Sequence, residues 1–173
     1  LKSAGYATGL VGKWGLGSEG TAGAPNAKGF DYFFGYVDQT MAHNYYPTYL
    51  VRNTERVPLR NVVPNPGPYG QGVASVKLDY SADLIGDEAV KFLRDHRSRP
   101  FFLYFAPNAI HTPLHSIDRY LDRVANINNP KHRLLAAMTI ALDEAVAAIR
   151  AALKSANLEQ NTLIVFLSDN GCP

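Results

Sequence analysis

Ser168-Asp169-Asn170-Gly171 sets a carboxylate and an amide oxygen side by side directly after an apolar run. Both are hard oxygen donors of the kind that hold Ca²⁺ or Mg²⁺. The same residues also suit an Asx turn or a helix cap. Two ligands leave an ion that takes about six to eight oxygens incomplete, so the rest would come from elsewhere. His111-Thr112-Pro113-Leu114-His115 follows a second apolar run. An imidazole there can donate to an oxyanion or act as an acid; a histidine that merely satisfies local backbone has the same signature. His115 reads as structural or substrate-lining. Lys13-Trp14 ends a third run, where the ammonium could pair with an anionic group above the indole, or simply be solvated. Asp38, His43, Tyr45 and Tyr46 gather polar and aromatic groups in one segment. That grouping suits a sugar or aryl ligand, or a surface hairpin held by aromatic pairs.

These residues need elements to position them. Residues 7–12 form a short strand, and the aromatic stretch 29–37 follows a glycine-rich segment. Gly15-Leu16-Gly17-Ser18-Glu19-Gly20 fits G-x-G-x-x-G, but Thr21-Ala22-Gly23-Ala24-Pro25-Asn26 cannot easily start the helix that dinucleotide binding requires. The segment is therefore expected to be a flexible loop. Residues 45–58 suggest a hairpin turning at Arg52-Asn53-Thr54-Glu55, and proline and glycine make 61–72 a loop. Residues 79–96 form a helix with Ser81 as N-cap and a basic end, stopped by Pro100. Residues 130–153 form a second, with Leu135, Met138, Leu142, Val146, Ile149 and Leu153 at helical spacing. Phe-Phe-Leu-Tyr-Phe at 101–105 and Thr-Leu-Ile-Val-Phe-Leu at 162–167 lack polar alternation, which predicts strands buried on both faces. Apolar strands alternating with amphipathic helices predict an α/β fold, a mostly parallel sheet with helices on both faces. Ligands then bind beyond the carboxyl ends of the strands, here at 12–17, 107–115 and 168–171.

Composition narrows the class. The 173 residues are 46% hydrophobic and 18% charged, enough to build a core and unlike a disordered chain. A net charge of +2 does not call for a nucleic-acid partner. A single cysteine, Cys172, excludes an internal disulfide and cysteine-cluster metal sites, and with no base nearby it reads as a small buried residue. No apolar run approaches the ~20 residues of a membrane span. Leu1-Lys2-Ser3-Ala4-Gly5-Tyr6 reads as the end of a helix with Gly5 just past it. With no initial Met and a stop directly after an apolar strand, the chain is expected to be an internal segment of a longer one.

Taken in order, these pieces resemble the sulfatase family. The matching stretches are Gly5-Tyr6-Ala7-Thr8-Gly9-Leu10-Val11-Gly12-Lys13-Trp14 and Gly29-Phe30-Asp31-Tyr32-Phe33-Phe34-Gly35. Pro100-Phe101-Phe102-Leu103-Tyr104-Phe105 with His111-Thr112-Pro113-Leu114 comes next, then Leu142-Asp143-Glu144-Ala145-Val146, Asn161-Thr162-Leu163 and Ser168-Asp169-Asn170-Gly171. The resemblance covers nearly the whole chain. It implies the alkaline-phosphatase-like sandwich, of which residues 1–173 would be the central part, without the nucleophile segment before it or the part after it. It implies hydrolysis of sulfate esters of a sugar or aryl substrate, a bound Ca²⁺ (Mg²⁺ or Mn²⁺ less so), and export to the periplasm or outside. Asp169 and Asn170 then match the family's metal ligands. Lys13 matches the lysine that contacts the formylglycine and the sulfate, and His111 the histidine near the leaving oxygen. The implied chemistry is attack by a hydrated formylglycine, made by a formylglycine-generating enzyme acting on the full-length chain, followed by elimination of the covalent sulfate.

Departures from the family pattern accompany the match. Gly15 stands where Gly-Lys-Trp-His-Leu-Gly has its histidine, and His43 is expected to fill that space from the neighbouring loop. Cys/Ser-x-Pro-x-Arg, the motif of the modified residue, occurs nowhere in the chain, nor do the early aspartate pair and the late lysine. The isolated segment is therefore expected to be inactive. Two alternatives stay open: a phosphoester or phosphonate hydrolase of the same superfamily, with Mn²⁺ or Zn²⁺, and a carbohydrate-binding relative without catalysis.

Overall fold

The computed structural model describes residues 1–168, 170 and 171, so the expectations for Asp169 and Cys172 lie outside the described residues. Among the described residues five strands and three α-helices follow in order: β1 (Ala7–Lys13), β2 (Tyr32–Tyr36), β3 (Tyr49–Arg52), β4 (Glu55–Pro58), α1 (Ser81–His96), β5 (Phe101–Ala106), α2 (Asp118–Leu121) and α3 (Pro130–Ser155). The strands form one sheet in the order β4-β3-β2-β1-β5. β1 runs parallel to both β2 and β5, while β3 and β4 add an antiparallel hairpin. The carboxyl ends of β1, β2 and β5 therefore lie along one edge, Gly12 pairing with Gly35 on one side and Ala106 on the other.

Local sequence explains these elements. β1 is small and apolar over Ala7–Lys13 and is buried along nearly its whole length, as a central strand must be. Tyr80 precedes α1 and makes no side-chain cap; Ser81, the expected cap, is the first helical residue, and its N–H donates to Tyr45 O at 3.0 Å. Arg94 and His96 occupy the last turn, where the helix carbonyls favour positive charge. α3 starts on Asn129, whose side chain accepts the His132 N–H, with Pro130 in the first turn, where a missing N–H costs nothing. At the chain start, Lys2–Ala4 form one 3₁₀ turn ended by left-handed Gly5.

Both long helices cover the same face. Val11, Phe34 and Tyr36 pack against Ile85 and Ala89 of α1, while Phe101 and Leu103 meet Val90, Leu93, Ala152 and Leu153. The opposite face (Leu10, Phe33, Val37, Val51) is covered by Trp14 and Phe30 from the glycine-rich segment. That segment is a pinned structure, not the free loop its composition suggests. The Trp14 indole N–H donates to Gly23 O at 2.8 Å, and Arg56 of the hairpin holds Glu19 at 3.0 Å.

Two strand expectations change. β5 is the edge of the sheet, so it is not buried on both faces: Phe102 and Tyr104 are exposed. Residues 162–168 form no strand and Leu163–Leu167 are exposed, pairing with nothing among the described residues. An all-apolar strand is stabilised by cover on its faces more than by edge hydrogen bonds. Here α1 and α3 already direct their apolar stripes at β1, β2 and β5.

Candidate active site

Three loops leave the carboxyl ends of β1, β2 and β5, and each carries one predicted residue to the same place. Lys13 is the last residue of β1. The ladder with β2 continues past it, Trp14 N–H donating to Tyr36 O at 2.9 Å and Gly15 N–H to Val37 O at 3.1 Å, which fixes the lysine backbone. His43 sits at the end of a 3₁₀ turn, Met41–His43. Asp38 organises that turn by accepting the Met41 N–H at 2.9 Å. His111 closes a turn begun at Asn108, its N–H donating to Asn108 O at 3.0 Å. The His43 and His111 rings stack with centroids 4.8 Å apart and planes 26° apart.

The electrostatics follow from this convergence. Burial first, then the charges of His111 and Lys13, hold His43 below the ordinary histidine value, with Asp38 pulling the other way. His43 is therefore a neutral imidazole at neutral pH, able both to donate and to accept. The Nδ1 of His111 lies 2.6 Å from Thr112 O. A carbonyl only accepts, so Nδ1 carries the proton and Nε2 is left as the working atom. The edge thus offers one permanent cation, one neutral imidazole and one oriented imidazole at the place where a parallel α/β sheet binds its ligands. That set suits an oxyanion-bearing group: charge neutralisation by Lys13 and proton handling by His111.

Other predicted residues resolve differently. Tyr45 and Tyr46 are buried, 0% and 4% exposed, and belong to the core with Tyr80 and Tyr120. They form neither an open aromatic wall nor a surface hairpin; the hairpin begins at Tyr49. His115 stacks on Tyr45 at 5.9 Å and meets Tyr46 edge-on, half-buried, in a structural place. Burial, and then Lys77, lower its pKa. Asn170 is exposed and its amide donates to Gly171 O at 2.8 Å. One neutral amide does not fit a cation that needs six or more oxygens, and among the described residues no group of three His, Cys, Asp or Glu side chains could hold a metal. The described residues therefore do not by themselves build the calcium site, and no step is routed through one. Asn108 went unnoticed in the sequence, where a polar residue following Pro107 at the end of β5 was its only signal.

The fold and site together are thus a parallel-centred α/β sheet with a lysine and two histidines at its carboxyl edge. The chain belongs to the Sulfatase family, whose family model matches residues 1–173. It is 33% identical to arylsulfatase J of Mus musculus over 99% of this chain and 28% of that protein. It is 31% identical to the N-acetylgalactosamine-6-O-sulfatase of Bacteroides thetaiotaomicron over 99% of this chain and 41% of that protein. Among solved structures it is similar to Ps i-CgsB, at a TM-score of 0.73 and 29% identity, with 90% of this chain and 35% of that one covered. The same protein is solved in complex with k-i-k-neocarrahexaose. The alkaline-phosphatase-like α/β fold is thereby shown, and the chain spans between 28% and 41% of the length of these two curated relatives. No helix among the described residues is long and apolar enough to cross a membrane.

Proposed function

We propose that the complete protein hydrolyses sulfate esters carried on a glycan, and that residues 1–173 supply the lysine and both histidines that handle the sulfuryl group. The observation that carries this reading is the convergence of Lys13, His43 and His111 from the ends of three parallel strands. Lys13 neutralises charge on a sulfuryl oxygen as it develops in the transition state. His111, with Nδ1 tied to Thr112 O, presents Nε2 to the leaving oxygen. His43, held below the ordinary histidine value by its burial and then by His111 and Lys13, orients a hydroxyl or sulfuryl oxygen by hydrogen bonding, while Gln39, not His43, lines the position at Gly15.

A formylglycine, where the family carries it, supplies the nucleophile; no Cys/Ser-x-Pro-x-Arg lies within 1–173, so it and the enzyme that generates it belong to the proposal for the complete protein. So do Ca²⁺, with Asp169 and Asn170 as two of its ligands, and a periplasmic or secreted location. The glycan is favoured over a small aryl ester because Ps i-CgsB, solved in complex with k-i-k-neocarrahexaose, is among the similar structures. The test is sulfate release by the complete protein from sulfated oligosaccharides and from 4-nitrophenyl sulfate, with 4-nitrophenyl phosphate as comparison. Sulfate release that falls at least about a hundredfold in His111→Ala supports the reading, since removing one positioned charge-stabilising donor costs roughly 10²–10³ in turnover. Preferential release of phosphate supports the phosphoesterase alternative, and tight glycan binding with no release supports a non-catalytic relative.

A further inference from the structure

We propose that Asn108 is the positioning residue that sets the spacing of the His43–His111 pair, by joining the two loops that carry the imidazoles. Asn108 lies two residues past β5 and is 3% exposed. Its Nδ2 donates to Ala42 O at 2.9 Å, and Ala42 immediately precedes His43. Its own carbonyl accepts the His111 N–H at 3.0 Å and the Tyr45 hydroxyl at 2.7 Å. The Tyr45 hydroxyl also lies 2.8 Å from His111 O, and Tyr45 is two residues past His43. The β2 loop is thus held on both sides of His43, at 42 and 45, and the β5 loop on both sides of its turn, at 108 and 111.

The imidazoles do not hold each other. Their contact is a stack at 4.8 Å without a ring-to-ring hydrogen bond, and two stacked imidazoles repel as soon as both are protonated. Lys13 also faces His43, and among the described residues Asp38 is the acidic group that pulls its pKa the other way. A cluster with this charge balance stays closed only if the backbone closes it. Asn108 and Tyr45 do so from buried positions, where hydrogen bonds are stronger and harder to replace with water. Asp38 fixes the turn's own shape through the Met41 N–H but makes no bond across to the β5 loop. Asn108 crosses from the β5 loop to Ala42, and Tyr45 crosses back from the β2 loop.

The consequence for turnover rests on the function proposed above; the positioning itself does not. The experiment is a histidine titration by NMR on the complete protein, labelled at the imidazole carbons, for the parent, Asn108→Ala and Tyr45→Phe. Asn108→Ala is expected to move the His43 midpoint upward, toward the ordinary histidine value, as the ring leaves the side of Lys13 and His111. Tyr45→Phe, which keeps the ring and removes only the bridging hydroxyl, is expected to move it in the same direction by less. In the same samples kcat for sulfate release falls roughly ten- to a hundredfold in Asn108→Ala, the order expected for a misplacement of about 1 Å, while KM changes less. A folded Asn108→Ala protein with an unchanged His43 midpoint overturns the proposal. If Asn108→Ala does not fold, an unchanged midpoint in Tyr45→Phe overturns it. A shifted midpoint in a protein whose parent releases no sulfate leaves the positioning intact and overturns the proposed function instead.

Discussion

Gly35→Ala should damage stability and turnover together, because the sheet edge that carries Lys13 is built on a backbone contact no side chain can enter. Gly35 has φ 144°, a conformation that L residues rarely adopt, and an added Cβ would lie 1.9 Å from Gly12 O and 2.7 Å from Gly12 C. Carbon and oxygen approach no closer than about 3.3 Å even in favourable weak contacts, so the Gly12 carbonyl would have to retreat by roughly 1.4 Å. That carbonyl cannot yield cheaply, because Gly12 itself has φ 128° and its own Cβ position lies 1.9 Å from Ala106 O. The strain of the backbone angle is worth about 1–3 kcal/mol, and forcing an extra methyl into a packed contact about 1–3 kcal/mol. The two together reach roughly 2–6 kcal/mol, a large share of the ~5–15 kcal/mol by which a domain is stable. Lys13 follows Gly12 directly, so the same displacement moves its ammonium by about the 1 Å that costs roughly a hundredfold in rate. Urea denaturation of the complete protein should show the midpoint falling by about 1–2 M, given slopes of about 1–3 kcal/mol/M, and sulfate release should fall with it. Gly20→Ala is the control: its φ is 71° but nothing lies within 4 Å of the new methyl, so only strain of about 1 kcal/mol is expected. A Gly35→Ala protein with the parent's urea midpoint and turnover would refute the reasoning.

Further expectations concern the charged groups. His43, held below the ordinary histidine value, binds fewer protons folded than unfolded, so its contribution to stability is complete above 6.5 and declines as pH falls through 6.5 toward the lowered folded value. Urea midpoints at pH 7.5 and 5.5 should therefore differ less in His43→Gln than in the parent, His115 contributing a remaining slope of the same sign. Asp31 behaves oppositely. Lys2, then the Thr8 N–H, bring it from 3.8 to about 2, so it stabilises above 3.8 and that contribution is lost as pH falls through about 2. Exposure screens this pair, and Asp31→Asn should cost about 1 kcal/mol or less at neutral pH by thermal denaturation. Arg52→Ala should cost more, roughly 2–3 kcal/mol, because it removes the partner 2.8 Å from Glu88, a carboxylate only 8% exposed that also receives the Tyr32 hydroxyl. Arg52→Ala,Glu88→Gln should recover part of that loss in the same assay.

How far the sequence alone reached depended on whether a feature was local. β1, the hairpin turning at Asn53 and Thr54, and both long helices were legible because period and turn residues lie within one segment, although Ser81 proved to be the first helical residue and not the cap. The positions of Lys13 and His111 followed from the rule that parallel sheets bind ligands at strand ends, whereas the space at Gly15 is lined by Gln39 and not by the expected His43. What escaped was relational. Whether Phe102 and Tyr104 are covered depends on strand order, which places β5 at the edge. Whether Tyr45 and Tyr46 line a site or a core depends on α1 and Tyr120 reaching them from far along the chain. The pinning of residues 15–29 rests on long-range bonds such as the Trp14 indole to Gly23, Arg56 to Glu19 and Thr8 to Gly29, invisible in a composition of glycines. Asn108 and Ala42 are 66 residues apart, and no local pattern joins them.

The central claim is that Lys13, His43 and His111 act on one sulfuryl group. The most direct measurement is the rate of sulfate release from a sulfated oligosaccharide by the complete protein and by Lys13→Ala, His43→Ala, His111→Ala and the His43→Ala,His111→Ala double variant. Residues that handle the same group are non-additive, so each single variant should lose roughly a hundredfold or more and the double variant far less than the product of the two single losses. Turnover unaffected by His43→Ala, or single losses that multiply in the double variant, would contradict it.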